Sequence, residues 1–440
     1  MLIRFITENF LSFNEMTILS LVSGKQRIHP NHKINIGTTS NTFNILRSAV
    51  VYGANASGKS NLIKSIHFAR TLIIKGTQAK SNIGLTRFKL RDSNLKKASL
   101  FQFEIYCDHS MYNYGFKTTT ESIEEEWLYE ISKNGNMIPI FERIKDSYTF
   151  HLKFKNKEEK QIFNFVSKGT RKNQLFLTES IDRNIPNFNS IFEWFQNLTI
   201  ITPDMSFAGL EARLHEGQAE LADFIMDGLK RFDTGIQKLF LQVVEAIPSI
   251  IGLPIDLLED IKNDQKLSAG SYFYVHDSKN DDRIVLHKDV NNELKALKLK
   301  TIHKNIETGK EHIFDISDES DGTRRILDLL PALLNLSTKN QVYLIDELDR
   351  SLHPKLSKDF LTQFYKFAEG SNSQLIITTH ETTLMDFELL RKDEIWFVEK
   401  NVNGESKLYS LEEFQPRYDK DIRRGYLLGR FGALPCLKSI

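Results

Sequence analysis

Gly53-Ala54-Asn55-Ala56-Ser57-Gly58-Lys59-Ser60 fits the pattern G-x-x-x-x-G-K-S at every fixed position. The segment follows Ala49-Val50-Val51-Tyr52, a run of buried-strand type. It opens a stretch in which Leu62, Ile63, Ile66, Ala69, Leu72 and Ile73 recur at helical spacing. A strand feeding a glycine loop and then a helix restricts the chain to an α/β architecture. Gly53 and Gly58 permit backbone angles that side chains forbid, so successive N–H groups can converge on phosphate oxygens. The helix N-terminus adds positive potential at the same place. Lys59 is expected to reach the β- and γ-phosphates of a nucleotide, and the Ser60 hydroxyl to ligate Mg²⁺. Asn55, Ser57 and Asn61 belong to the same expected nucleotide-binding set.

Val342-Tyr343-Leu344-Ile345-Asp346-Glu347 is an apolar strand ending in two acids. Carboxylates at the tip of a buried strand are costly without a cation or donors nearby. Asp346 is therefore expected at the metal, and Glu347 is placed to polarise an attacking water. Asp349 follows in a loop that could reach a neighbouring subunit. His380 ends the next strand, Leu375 to Thr379, where it can donate to a γ-phosphate oxygen. Glu347, His380 and Lys59 form the expected catalytic set; Ser60 and Asp346 form the metal set.

Asp318-Glu319-Ser320-Asp321-Gly322-Thr323-Arg324-Arg325 precedes a helix carrying Ile326, Leu327, Leu329, Leu330 and Leu333. Serine and aspartate are good N-caps, so an ordinary capped helix is one explanation. Two arginines in a first turn oppose the helix dipole, however. An anion in front of Ser320 and Gly322 would account for them.

Between these segments the period of the pattern changes. Residues 85–150 alternate apolar and polar positions, with a hairpin turn at Asn134-Gly135, and read as an antiparallel sheet. Residues 151–300 read as largely helical, with runs near 158–168, 188–197, 218–230 and 233–247. Asn263 to Asp282 reads as a loop, and Leu294 to His303 as an edge strand with a hairpin partner at Ile313 to Ile316. From 320 onward helix and strand alternate, which implies a parallel sheet. The expected division is 1–150, 151–300 (insertion, docking or dimerisation) and 301–440.

The 440 residues carry 58 Lys plus Arg and 57 Asp plus Glu, a net charge of +1. That excludes a chain held on nucleic acid by global charge. Two cysteines without a CxxC pair make a disulfide framework or zinc site an unsuitable reading. The start of the chain carries Arg4 and Glu8 rather than the apolar core of a signal peptide, and the most apolar window, Leu239 to Leu258, is broken by acids and prolines. A cytoplasmic protein without membrane attachment is expected.

The ordered set of phosphate loop, long insertion, Ser-Asp-Gly-Thr before a helix, acidic strand, Asp349 loop and His380 resembles the ABC-type ATPase heads of the SMC and RecF-like class. The resemblance implies a P-loop fold of ABC-ATPase type: a mixed sheet, an antiparallel β arm and a mostly helical insertion. It implies that Ser320 and Gly322 complete the nucleotide site of a partner protomer, although of the glycines in the transporters' Leu-Ser-Gly-Gly-Gln only the one at Gly322 is kept. Asn9-Phe10-Leu11-Ser12-Phe13 is similar to the family's opening strand turn. For the Q-loop glutamine, Gln102 and Gln174 are the candidates, neither well placed.

Within the class, Tyr112–Phe116, Glu126–Glu130 and the tail Gly425 to Pro435 resemble bacterial abortive-infection and RloA-like ATPases, often encoded beside nucleases. The chain also resembles the ATPase half of OLD-family nucleases, but a Toprim domain is not expected within the residues that follow His380. The resemblance implies ATP hydrolysis with Mg²⁺ and a homodimer closed by an ATP sandwich, with a higher oligomer open. It further implies a nucleotide-switched regulator in anti-phage defence that controls a separate nuclease or toxin effector. Two alternatives stand beside it. One is a DNA-structure-sensing or repair ATPase using Lys295, Lys298, Lys300 and Lys304, with Arg283 and Lys288. The other is an ATP-assembled scaffold that sequesters a toxin.

Overall fold

The computed structural model describes residues 1–36, 43–203, 210–263, 268–277, 282–338, 340–418 and 421–434. The chain divides into two compact units. The first comprises Met1–Thr202, Leu336–Asp349 and Ser357–Ile440; the second comprises Pro203–Asn335 and Arg350–Leu356.

The first unit opens with strands β1 (Leu2–Glu8) and β2 (Thr17–Ser20), the short pair β3 (Lys33–Asn35) and β4 (Asn44–Leu46), then β5 (Ser48–Tyr52). Helix α1 (Lys59–Lys75) follows the phosphate loop. Strands β6 (Ser99–Cys107), β7 (Ser110–Thr118), β8 (Ile123–Ile131), β9 (Met137–Ile144) and β10 (Ser147–Phe150) form successive hairpins. Helices α2 (Lys157–Gly169), α3 (Phe176–Asp182) and α4 (Asn189–Asn197) lead to β11 (Thr199–Ile201).

The second unit contains helices α5 (Leu210–His215) and α6 (Ala219–Arg231), β12 (Lys238–Glu245), and the short helices α7 (Pro248–Ile251) and α8 (Ile255–Asn263). Strands β13 (Tyr272–Asp277), β14 (Asp282–Lys288), β15 (Leu294–Lys304) and β16 (Glu311–Asp315) precede helix α9 (Asp321–Thr338). The chain then supplies β17 (Val342–Ile345), α10 (Pro354–Phe367), β18 (Gln374–Thr378), β19 (Ile395–Lys400), β20 (Ser406–Ser410) and α11 (Ile422–Leu427).

Two sheets build the first unit. The seven-stranded antiparallel arm runs β10-β9-β8-β7-β6-β1-β2, and the six-stranded sheet runs β11-β17-β18-β5-β19-β20. In the latter, all pairings are parallel except β19 with β20. Strand β5 is buried along its whole length, as its unbroken Ser-Ala-Val-Val-Tyr composition requires. Phe5, Phe101, Phe103, Phe116 and Phe141 of the arm share one core with Leu62, Ile63, Ile66 and Ile73 of α1. The α/β class with a parallel sheet and an antiparallel arm is thus the observed fold.

Buried ion pairs in this unit include Arg143 with Glu126 and Arg391 with Asp393. Arg143 and Glu126 approach to 3.6 Å with side chains 1% and 0% exposed. Glu126 also accepts from the backbone N–H of Phe176 at 2.6 Å and of Leu177 at 3.0 Å, which fastens α3 to the arm. Burial raises the Glu126 pKa, and Arg143 opposes that rise.

The insertion is less helical than expected. The predicted helices near 158–168, 188–197 and 218–230 are α2, α4 and α6. Residues 238–245, expected within a helix at 233–247, instead form β12, paired with β15 over eight successive positions. The apolar run Leu-Phe-Leu-Gln-Val-Val satisfies both periods, and pairing with a long neighbour decides for the strand. Strand β15 is not an edge: it pairs with β12, β14 and β16. Its expected hairpin with β16 is present. The loop expected across 263–282 contains β13; residues 264–267 and 278–281 lie outside the described residues. Among the described residues no helix is long and apolar enough to cross a membrane.

Candidate functional site

Strand β18 lies between β5 and β17, with Thr378 opposite Val51 and Ile377 opposite Ile345. The carboxyl ends of three neighbouring parallel strands therefore carry the phosphate loop, the acidic pair and His380. Such a crevice is where open α/β sheets bind ligands.

Gly58 caps the front of α1 with φ 119°, in the left-handed range that side chains avoid. A Cβ there would also collide with Ser406 Oγ, and one on Gly53 with the Val398 carbonyl oxygen. Lys59 is 4% exposed, and its ammonium donates to the carbonyls of Gly53 at 2.8 Å and Ala54 at 3.1 Å. It lies 3.4 Å from His380 Nδ1. Burial lowers its pKa to about 8, against the opposing pull of Glu347, Asp346 and Asp349. Partial desolvation and the Lys59 charge lower the pKa of His380 as well. Asn55 is exposed at the loop's tip, whereas Ser57 is buried with its hydroxyl unpartnered.

Ser60 Oγ donates to Asp346 Oδ1 at 3.2 Å. The same oxygen accepts from Thr378 Oγ1 at 2.5 Å, and the Thr378 oxygen in turn accepts from the Glu347 N–H at 2.8 Å. Glu347 has φ 49°, a left-handed conformation unusual for this side chain, held by that bond. A hydroxyl and a carboxylate at this separation are hard oxygen donors suited to Mg²⁺. Asp349 accepts from Thr379 Oγ1 at 2.7 Å and from the His380 N–H at 3.2 Å. Within the chain it is engaged with the residues that follow β18.

Three positioning groups escaped the sequence reading. Thr378 has just been described. Ser406, on β20, donates to the Ser57 carbonyl at 2.5 Å and shares a hydroxyl–hydroxyl hydrogen bond with Ser12 Oγ at 2.7 Å. Ser12 also accepts from Asn61 Nδ2 at 2.7 Å, so the β1–β2 turn braces the rear of the phosphate loop. The Asn9–Phe13 segment carried a family resemblance, but no local pattern marks Ser406.

Ser320 and Gly322 lie in the second unit. Ser320 Oγ accepts from the Thr323 N–H at 3.1 Å, a standard cap for α9. A Cβ on Gly322 would meet the Ser351 carbonyl oxygen at 2.8 Å. Both residues thus have a role within their own chain. Arg324 is paired with Asp321 at 2.5 Å.

Gln174 accepts from Thr77 N–H at 2.8 Å, beyond the end of α1, and so serves the fold. The lysine strip is largely committed. Lys288 donates to the Lys262 carbonyl at 3.0 Å, Lys295 pairs with Asp289 at 3.5 Å, and Lys300 pairs with Asp315.

Solved structures similar to this chain include three SMC heads. The SMC head domain from Thermotoga maritima is 12% identical, with TM-score 0.37, covering 93% of this chain and 98% of that one. The SmcHead bound to the C-winged helix domain of ScpA is 12% identical, with TM-score 0.41, covering 94% and 99%. The Smc head domain with an extended coiled coil, bound to the C-terminal domain of ScpA derived from Pyrococcus furiosus, is 13% identical, with TM-score 0.33, covering 94% and 99%. No curated protein is a significant match. A family model, described as "AAA domain, putative AbiEii toxin, Type IV TA system", matches residues 48–386, which include the phosphate loop, the acidic strand and His380. The chain belongs to that AAA-domain family.

Proposed function

We propose that this protein is an ATP-hydrolysing, nucleotide-switched regulator in bacterial anti-phage defence that controls a separately encoded effector such as a nuclease or toxin. The observation that carries the ATPase reading is the convergence of Lys59, Ser60, Asp346, Glu347 and His380 at the carboxyl ends of β5, β17 and β18. The family's description, which names a toxin of a type IV toxin–antitoxin system, supports the defence context.

In this reading the phosphate-loop N–H groups and Lys59 bind the β- and γ-phosphates. Ser60 and Asp346 would hold Mg²⁺, which when bound draws negative charge from the phosphate oxygens. Glu347 orients and deprotonates the attacking water, and His380 donates toward the γ-phosphate. Positioning and electrostatics supply most of the rate in phosphoryl transfer. Ser320 and Gly322 of a second protomer close over the nucleotide, so ATP bridges two subunits and hydrolysis releases them.

The test is the mass of E347Q with and without MgATP. A dimer formed only with ATP, together with a kcat lowered at least about 100-fold, is expected for loss of the base. A monomer at saturating MgATP with unslowed turnover would overturn the reading.

A further inference from the structure

The segment between β16 and α9 has no slack. Lys300 of β15 pairs with Asp315. Asp315 and Asp318 form a reciprocal capping box around the single turn Ile316–Asp318. Glu319 accepts from Thr301 Oγ1 at 2.5 Å and from His303 Nε2 at 2.8 Å, both on β15. The His303 ring is itself held edge-on by Phe314 of β16, at 5.0 Å. The next residue, Ser320, caps α9.

A linker that only joined a strand to a helix would be satisfied by the cap. Here two side chains of the segment, Asp315 and Glu319, are tied to one strand, and that strand is the centre of the inserted sheet. On its other side, Gly322 packs against the Ser351 carbonyl. Ser351 has φ 59° and lies two positions beyond Asp349 in the chain. Movement of β15 must therefore be passed to Ser320 and Gly322, because packed and hydrogen-bonded contacts shift as units rather than stretch.

We propose that Thr301, His303 and Glu319 are positioning residues that set where Ser320 and Gly322 stand, and so couple the inserted sheet to closure on a second protomer's nucleotide. The proposal rests on the sandwich reading above. Whatever engages the insertion then regulates turnover through Glu319 without touching the nucleotide.

The experiment compares E319A, E319Q and H303A with S320A in the full chain. It measures kcat, KM for ATP, the protomer concentration giving half-maximal activity, and binding of a fluorescent ATP analogue to dilute protein. E319A and H303A should lower kcat about tenfold and raise the half-maximal protomer concentration, with analogue affinity within twofold of wild type. E319Q keeps an acceptor oxygen for both donors and should restore kcat to within threefold. Thermal unfolding of each variant identifies any that fail to fold, and E319Q carries the test if E319A does. Wild-type kinetics in E319A and H303A, or an E319Q as impaired as E319A, overturns the coupling while S320A remains defective. A wild-type kcat in S320A, or activity independent of protomer concentration, overturns the sandwich reading itself.

Discussion

Thr378 and Asp346 share a 2.5 Å hydrogen bond across two neighbouring strands, and the same threonine oxygen receives the Glu347 N–H. One hydroxyl therefore fixes both acids. Replacing it with a methyl in T378V should leave KM for ATP within threefold and lower kcat about 10- to 100-fold, roughly 1.4–2.7 kcal/mol of barrier. T378S should recover most of the rate. Unchanged steady-state turnover in T378V would show that the acids need no such tie.

Burial holds the Lys59 ammonium at about 8, below its ordinary 10.5. A bound polyphosphate favours the charged form and raises that value, so binding above pH 8 must take up a proton. At pH 8.5 the uptake should approach roughly three-quarters of a proton, and at pH 7 it should be small. Affinity should fall as pH rises past 8. Calorimetry in two buffers of different ionisation enthalpy measures the uptake, which should vanish in K59R. The same shift penalises the ligand-free fold below pH 8, and the penalty is relieved as pH rises from 8 toward 10.5.

Ser320 serves as a cap in its own chain and, in the proposed function, as a phosphate contact in another. S320D separates the two, because aspartate caps as well as serine but places a negative charge where the γ-phosphate would approach. Its melting temperature should match wild type, while S320A loses about 1 kcal/mol. ATPase activity of S320D should nonetheless drop more than about 100-fold, near 2.7 kcal/mol of barrier. Full activity in a stable S320D would leave the serine only its cap.

Arg143 is expected to matter through what it leaves behind. R143M strands the buried Glu126 carboxylate and should cost about 3–5 kcal/mol in denaturant unfolding. The double variant E126Q/R143M should recover part of that loss. Equal stability of R143M and wild type would mean that Glu126 is protonated or otherwise compensated.

The phosphate loop, the acidic strand and His380 were legible because each couples a local pattern to a strand end. Thr378 and Ser406 were not, because their roles depend on which strands become neighbours. Sheet order places β18 against β17, and nothing local to residues 374–380 reports it. The helix expected over β12 failed for a related reason: its run of apolar residues fits either period, and only β15 resolves the choice. Asp349 was read in a loop that could reach a neighbouring subunit; its partners Thr379 and His380 within the chain are ones that spacing does not reveal.

The neighbours of β5 have a consequence for how the protein is made. Both strands that flank β5, namely β18 and β19, are encoded after the phosphate loop and after the entire insertion. A chain halted within the insertion holds β5 and its glycine loop without either sheet neighbour of β5 and without Asp346 or Glu347. Strand β5 thereby gains both of its sheet neighbours only once β19 has been made.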